Sequence, residues 1–208
     1  MPETPPVPVG RRERKKAATR QAIADAALEL FLEHGFERVS VRDVAERADV
    51  STTTLFAHFP GKEALVFDRE AEVEASLTAA VRDRPEGQGV VEALRAHALT
   101  SWVRLESDPR RERFAALVQQ TPALREYWER MWMRHAGALS AAIAAELGRE
   151  ADDLACSALA RFVLEVPALA AARPDPLASV ETVFDLLIHG WQASQLGSGQ
   201  PATDAREA

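Results

Sequence analysis

The sequence predicts an all-α protein, a small three-helix N-terminal domain followed by a larger helical domain, with about nine helices in all. Two observations carry this. Apolar residues recur at helical spacing along the chain in a background rich in Ala, Leu, Glu and Arg, with few β-branched runs. Glycine and proline mostly fall between those stretches, where they punctuate them.

The first helix is expected from about Glu13 to His34, since Ile23, Ala27, Leu30 and Phe31 share one side, and Gly35 stands where a left-handed C-terminal cap is expected. Ser40 opens a second helix, with Asp43 three residues on in a capping-box pattern that also places a negative charge at the positive end of the helix dipole. It ends near Ala48. Asp49 and Val50 make a turn, Ser51 caps a third helix over Thr52 to Phe59, and Pro60-Gly61 stops it. Longer helices follow: Lys62 to Arg84, Val90 to Glu106 after the loop Pro85 to Gly89, Arg110 to Gln120 after Ser107-Asp108-Pro109, and Pro122 to about Leu147, closed by Gly148. The last two span about Ala151 to Ala172 and Leu177 to Leu196. The expected organisation is a disordered basic arm over residues 1–13, a small domain over 14–61, a large domain over 62–196 and a disordered tail over 197–208.

The chain of 208 residues carries a net charge of −7, which argues against a nucleic-acid partner until its distribution is read. Residues 1–62 hold 10 basic against 9 acidic side chains, and the remainder 15 against 23. Between Gly10 and Arg20 there are six basic residues and one acid, so a positive segment persists on an acidic protein. The single cysteine, Cys156, excludes an intramolecular disulfide and a cysteine-rich zinc site. Met1 to Gly10 is rich in proline and lacks an apolar core, and no apolar run approaches a membrane span, so a soluble cytoplasmic protein with no membrane partner is expected. No nucleotide loop, metal-spaced histidine cluster or nucleophile elbow is present, and His97, His135 and His189 are scattered singles. No cofactor, metal or catalytic residue is therefore assigned. A helical enzyme using His135 with Glu129 or Glu165 is the alternative from another class, and a DNA-binding regulator without an effector is a third reading.

Two short helices crossing steeply, small residues where they touch, an apolar anchor in the turn and polar residues on the exposed face of the second helix make a helix-turn-helix. Val41 to Phe59 supplies each part. Val44, Ala45, Ala48, Val50, Leu55 and Phe59 form the expected inner face; Thr52, Thr53, Phe56, Ala57 and His58 are left outside, an odd set for a helix meant only to be solvated. A purely structural three-helix subdomain is the bland alternative. Ahead of the motif, Arg11, Arg12, Lys15 and Lys16 are expected to track phosphates or enter a flanking minor groove, which adds affinity with little base information.

The stretch from Val41 through Ser51-Thr-Thr-Thr-Leu-Phe-Ala-His-Phe-Pro-Gly-Lys62 to Leu65 resembles the signature of the tetracycline-repressor (TetR) family, and the resemblance covers about residues 14–65. It implies three N-terminal helices for DNA and a helical C-terminal domain for ligand binding and dimerisation, hence a transcriptional regulator and no enzyme. By the same resemblance Thr52 and Thr53, after the cap Ser51, stand at operator-reading positions, Thr54 faces DNA, and His58 and Lys62 contact backbone; Arg42 is a further base or phosphate contact. Phe56 replaces a usual tyrosine and so lacks a phosphate donor, which leaves it an apolar contact with sugar or a thymine methyl. Asp49 replaces a usual glycine, and tolerates the left-handed conformation better than most residues.

In the large domain, Trp102, Leu105, Phe114, Leu117, Val118, Tyr127, Trp128 and Trp132 are expected to line a cavity, with an ordinary filled core as the alternative. Arg110 to Trp132, together with Thr53 to Phe56, also resembles a TetR subgroup with acyl-CoA-like ligands, which would place an apolar tail among those aromatics and a polar head near Arg104, Arg110, Arg111 or Arg125. Phe162, Val166, Val180, Phe184, Leu187, Ile188 and Trp191 form apolar stripes on the last two helices and are expected at a homodimer interface. Two recognition helices about 34–36 Å apart would then read a near-palindromic double-stranded operator.

Overall fold

The computed structural model describes residues 10–106, 108–171 and 173–197. Among them there are nine α-helices, one 3-10 turn and no strand. They are α1 Arg11–His34, α2 Val41–Arg47, α3 Thr52–His58, the 3-10 turn Glu63–Leu65, α4 Glu70–Arg82, α5 Val90–Glu106, α6 Arg111–Gln120, α7 Pro122–Glu146, α8 Leu154–Ala171 and α9 Pro176–Gly197. The expected all-α architecture is the one found.

Two features differ from expectation at the helix ends. Arg11 and Arg12, expected in a disordered arm, are helical and begin α1, while residues 1–9 and the tail from 198 lie outside the described residues. The helix expected from Lys62 begins only at Glu70, because Ala64, Leu65, Val66 and Phe67 are all buried. Four consecutive residues stepped by about 100° sweep about 300° and cannot share one face of a continuous helix, so a 3-10 turn and a bend take its place.

The chain forms two compact units, divided after Ala71, Pro109 and Glu129. The first is larger than the expected 14–61: besides α1 to α3 it takes in the 3-10 turn, α6 and the start of α7. Its core is built by Ile23, Phe31, Val44, Leu55, Phe59 and Leu65, each at most 1% exposed. Gly35 follows α1 at φ 84 and ψ 149, a conformation open to glycine but not the left-handed helical cap expected there. The turn carries Phe36 back to within 5.1 Å of the Phe31 ring. The Arg113 guanidinium donates to the Leu32 carbonyl at 2.9 Å, and Phe67 stacks on Tyr127 at 5.2 Å with Phe114 and Trp128 against it. These contacts hold α6 and the start of α7 to the N-terminal helices.

The second unit packs α5, α8 and α9 with the rest of α4 and α7 around Leu94, Trp102, Leu139, Ile143, Leu159, Val163, Val166, Val180 and Phe184. Arg84 pairs with Glu146 at 2.6 Å and Arg95 with Asp185 at 3.1 Å. α8 is long and apolar enough to cross a membrane, with mean hydropathy 1.6 over its 18 residues. Its Cys156, Leu159, Ala160, Val163, Val166 and Ala170, a third of the helix, face this core.

Candidate nucleic-acid interface

Short-range polar bonds define the α2–turn–α3 segment. The Ser40 hydroxyl accepts from the Asp43 amide at 3.2 Å, and the Asp43 carboxylate accepts from the Ser40 amide and hydroxyl, each at 2.8 Å. The Ser40 backbone N–H, and then its hydroxyl, hold the Asp43 carboxyl below its ordinary range. Asp49 sits at φ 52, in the left-handed region, and Val50 N–H closes the turn on the Ala45 carbonyl at 2.9 Å. The Ser51 hydroxyl accepts from the Thr54 amide at 3.0 Å and lies 2.8 Å from the Thr54 hydroxyl. Val44, Ala45, Leu55 and Phe59 are buried, and Ala48 and Val50 half-buried, as the inner face requires.

What α3 leaves outside is Thr52, Thr53, Phe56 and Ala57, a polar face around a phenylalanine that is 51% exposed. Thr54 and His58 are half-buried, and Arg42 is exposed at the start of α2. Arg11, Arg12, Lys15 and Lys16 are exposed on the first turns of α1. Helical register puts Arg12 and Lys16 in line with Ile23 and Ala27, the side of α1 that packs into the unit. Arg12 and Lys16 therefore continue that side, with Lys15 flanking it and Arg11 about 100° round the helix.

Two cations behave differently. Lys62, expected at phosphate, donates to the Phe36 carbonyl at 2.6 Å with its ammonium 4.2 Å from the centre of the Phe36 ring, so it anchors the chain after α3 to the turn after α1. Arg20 was not singled out by spacing. Its guanidinium donates to the carbonyl of His58, the last residue of α3, and to the carbonyl of Asp68 at 2.9 Å, and lies 4.1 Å from the centre of the Phe59 ring.

The aromatic residues expected around one cavity are divided between the units. Phe114, Leu117, Val118, Tyr127 and Trp128 belong to the first, and Trp102 and Trp132 to the second; the side chain of Leu105 lies outside the described residues. Leu117 lines a separate cleft of about 240 Å³ with His34, Gly35 and Thr121. Periodicity does not sort these residues, because Phe114, Tyr127 and Trp128 meet Phe67, far away in sequence, in the first unit. Of the four arginines, Arg104 falls in the second unit and Arg110, Arg111 and Arg125 in the first, where Arg125 donates to the Gln119 carbonyl. His135 is fully buried in the second unit with its Nδ1 3.0 Å from the Glu74 carboxylate, so its partner is Glu74 and not Glu129 or Glu165.

Three of the residues expected at a dimer interface lie inside the protomer. Val166, Val180 and Phe184 are at most 1% exposed and belong to the core of the second unit, since that core uses the apolar stripes of both α8 and α9. Leu187, Ile188 and Trp191 are partly buried against it. Phe162 is 59% exposed, and it shares one side of α8 with the exposed Leu154 and Leu169.

Comparison with known proteins agrees with this geometry. The sequence profile described as "Bacterial regulatory proteins, tetR family" matches residues 23–68, from the buried side of α1 through α3 to Asp68. The chain is 34% identical over 151 residues to the HTH-type transcriptional regulator TcmR of Streptomyces glaucescens, covering 69% of this chain and 67% of TcmR. A solved TetR-family regulator from Streptomyces coelicolor is 27% identical, with a TM-score of 0.63 over 89% of this chain and 98% of that one. SmeT of Stenotrophomonas maltophilia, solved as a complex with triclosan, is 25% identical, with a TM-score of 0.56 over 83% and 91%. A helix-turn-helix with an exposed threonine face, inside an all-helical chain that matches these regulators in sequence and fold, places the protein in the TetR family of bacterial transcriptional regulators, and it is a DNA-binding regulator and not an enzyme.

Proposed function

We propose that the protein is a homodimeric, ligand-responsive repressor that occupies a near-palindromic operator and is released by a small apolar effector. The observation that carries the DNA half is the exposed face of α3: Thr52 and Thr53 reach base edges, Phe56 takes an apolar contact such as a thymine methyl, and His58 and Arg42 flank them. The stripe Arg11, Arg12, Lys15 and Lys16 supplies phosphate or minor-groove contacts whose strength falls with salt. Dimerisation uses the exposed side of α8, with Phe162, Leu154 and Leu169, and the exposed Leu186 of α9. The regulator works where its DNA is, in the cytoplasm.

The effector is assigned to the second unit. Trp102 and His135 are buried there, yet the Trp102 indole nitrogen and His135 Nε2 have no hydrogen-bond partner among the described residues. Unsatisfied polar atoms in a core call for a partner. The indole N–H of Trp102 is a donor, and the ring nitrogen Nε2 of His135 is left over once Nδ1 meets the Glu74 carboxylate, so an effector reaching either would be apolar with a hydrogen-bonding group. An acyl thioester fits that description, as does a compound of the kind SmeT is solved with. A coupling of roughly 1–3 kcal/mol between effector and operator would shift affinity about 5- to 150-fold.

The test is a titration of acyl thioesters and triclosan against the dimer bound to its upstream intergenic DNA, read by fluorescence anisotropy. Release of the DNA by a compound that binds the protein supports the reading. Compounds that bind and leave operator affinity unmoved contradict it.

A further inference from the structure

A recognition helix of seven residues has few internal hydrogen bonds, and the carbonyls of its last turn have no partner within the helix. Something outside must hold its orientation. At the C-terminal end of α3 that is Arg20, whose planar fork reaches two chain segments at once: one nitrogen donates to the carbonyl of His58 and the other, at 2.9 Å, to the carbonyl of Asp68, two residues before α4 begins. Its central carbon, Cζ, lies 4.1 Å from the centre of the fully buried Phe59 ring. Two nitrogens and the central carbon of the guanidinium are thereby engaged inside the unit. Lysine has no such fork and would meet one carbonyl at a time.

We propose that Arg20 is a positioning residue for operator recognition: it locks the end of α3 to the chain leading into α4, and so sets the angle at which Thr52 and Thr53 meet the bases. Although it belongs to the basic run of α1, it is not a phosphate contact. The inference rests on α3 being the DNA-reading helix, and it makes a prediction that phosphate-contacting arginines do not share. Loss of a phosphate contact weakens binding to every sequence and lowers the salt slope, whereas a misaligned recognition helix loses sequence discrimination alone.

The experiment takes the full-length protein, a duplex selected by it from a random pool, and a scrambled duplex of the same composition. Arg20→Gln and Arg20→Lys are compared with wild type by anisotropy at several salt concentrations, with thermal unfolding alongside. Arg20→Gln is expected to lower the ratio of selected-duplex to scrambled-duplex affinity by about 10-fold or more, with scrambled-duplex affinity and salt slope unchanged, the loss of a base contact being worth roughly that much. Arg20→Lys, which keeps the charge, should fall between. An unchanged ratio overturns the proposal, and so does an equal fall in both affinities with a salt slope reduced by about one, the mark of a phosphate contact. Should Arg20→Gln unfold, Arg20→Lys decides by the same ratio. If the wild-type protein selects no sequence at all, the reading of α3 fails rather than the role of Arg20.

Discussion

Two surfaces of this protein are exposed for different reasons. On α3 the outward residues are threonines around one phenylalanine, with a basic stripe on α1 and Arg42 on α2 in the same unit. On α8 the outward residues include Leu154, Phe162 and Leu169, side chains that water does not favour. The first set offers hydrogen bonds and one methyl-sized contact to a polar, charged partner; the second offers area to an apolar one. Their supports differ as well. The α2–turn–α3 segment is held by bonds between residues three apart, Ser40 with Asp43 and Ser51 with Thr54, while α8 is held by packing against α5 and α9. The first is the surface proposed to meet DNA and the second the one proposed to meet a second copy of the chain, and substitutions can address each separately.

The largest effect should come from removing the apolar anchor under the reader. Phe59→Ala leaves a cavity in the first unit and removes the ring beneath Arg20, so a loss of about 3–5 kcal/mol in unfolding free energy is expected, together with loss of specific DNA binding, measured by denaturant titration and anisotropy. Next is the protein-facing surface. Phe162→Glu should leave the protomer folded and raise the dimer dissociation constant by roughly 100-fold or more, from about 1.5–3 kcal/mol for each of the two phenylalanines a symmetric dimer buries, as read by analytical ultracentrifugation. A variant that stays dimeric would move the interface elsewhere.

A smaller effect belongs to the cap. Ser40→Ala should cost about 1 kcal/mol, within 0.5–2, because α2 loses the two bonds the Ser40 hydroxyl makes with Asp43 and keeps the one from the Ser40 amide. It has a pH signature. Folded Asp43 titrates below its ordinary 3.8, so the stability it lends is complete above that value and fades as the pH falls through the lower folded one. In the Ser40→Ala variant this acid-side loss should shrink. The smallest effect is chemical. Burial, and next a hydrogen bond with Asp153, push the Cys156 thiol up to about 11, so a thiol reagent at about pH 8 should modify it only after unfolding.

The same contrast explains what could be seen in the sequence. Caps, the stop at Pro60 and the left-handed Asp49 depend on neighbours within a few residues, so Ser40, Asp43, Ser51 and the faces of α2 and α3 were legible. Four apolar residues in a row soon after the third helix, Ala64 to Phe67, also mark a break where one continuous helix from Lys62 is expected. What spacing could not show is pairing across long stretches of chain: Arg113 with Leu32, Tyr127 with Glu70, and Arg20 with both His58 and Asp68. These draw α6 and the start of α7 into the first unit and divide the aromatic residues that periodicity placed around one cavity. An apolar stripe is ambiguous for a related reason. Val166 and Phe184 read the same whether they cover a core or a partner, and only the number of faces already packed decides it.

Whether the exposed threonines of α3 read base sequence is decided by selecting duplexes from a random pool with wild-type protein and with Thr53→Ala, with unfolding measured on both. Wild type should enrich a near-palindrome with half-sites about 10 base pairs or a multiple of a turn apart, and Thr53→Ala, equally stable, should relax the preference at a symmetric pair of positions at about 1–3 kcal/mol of discrimination. An identical enriched sequence from both proteins would mean that Thr53 reads no base.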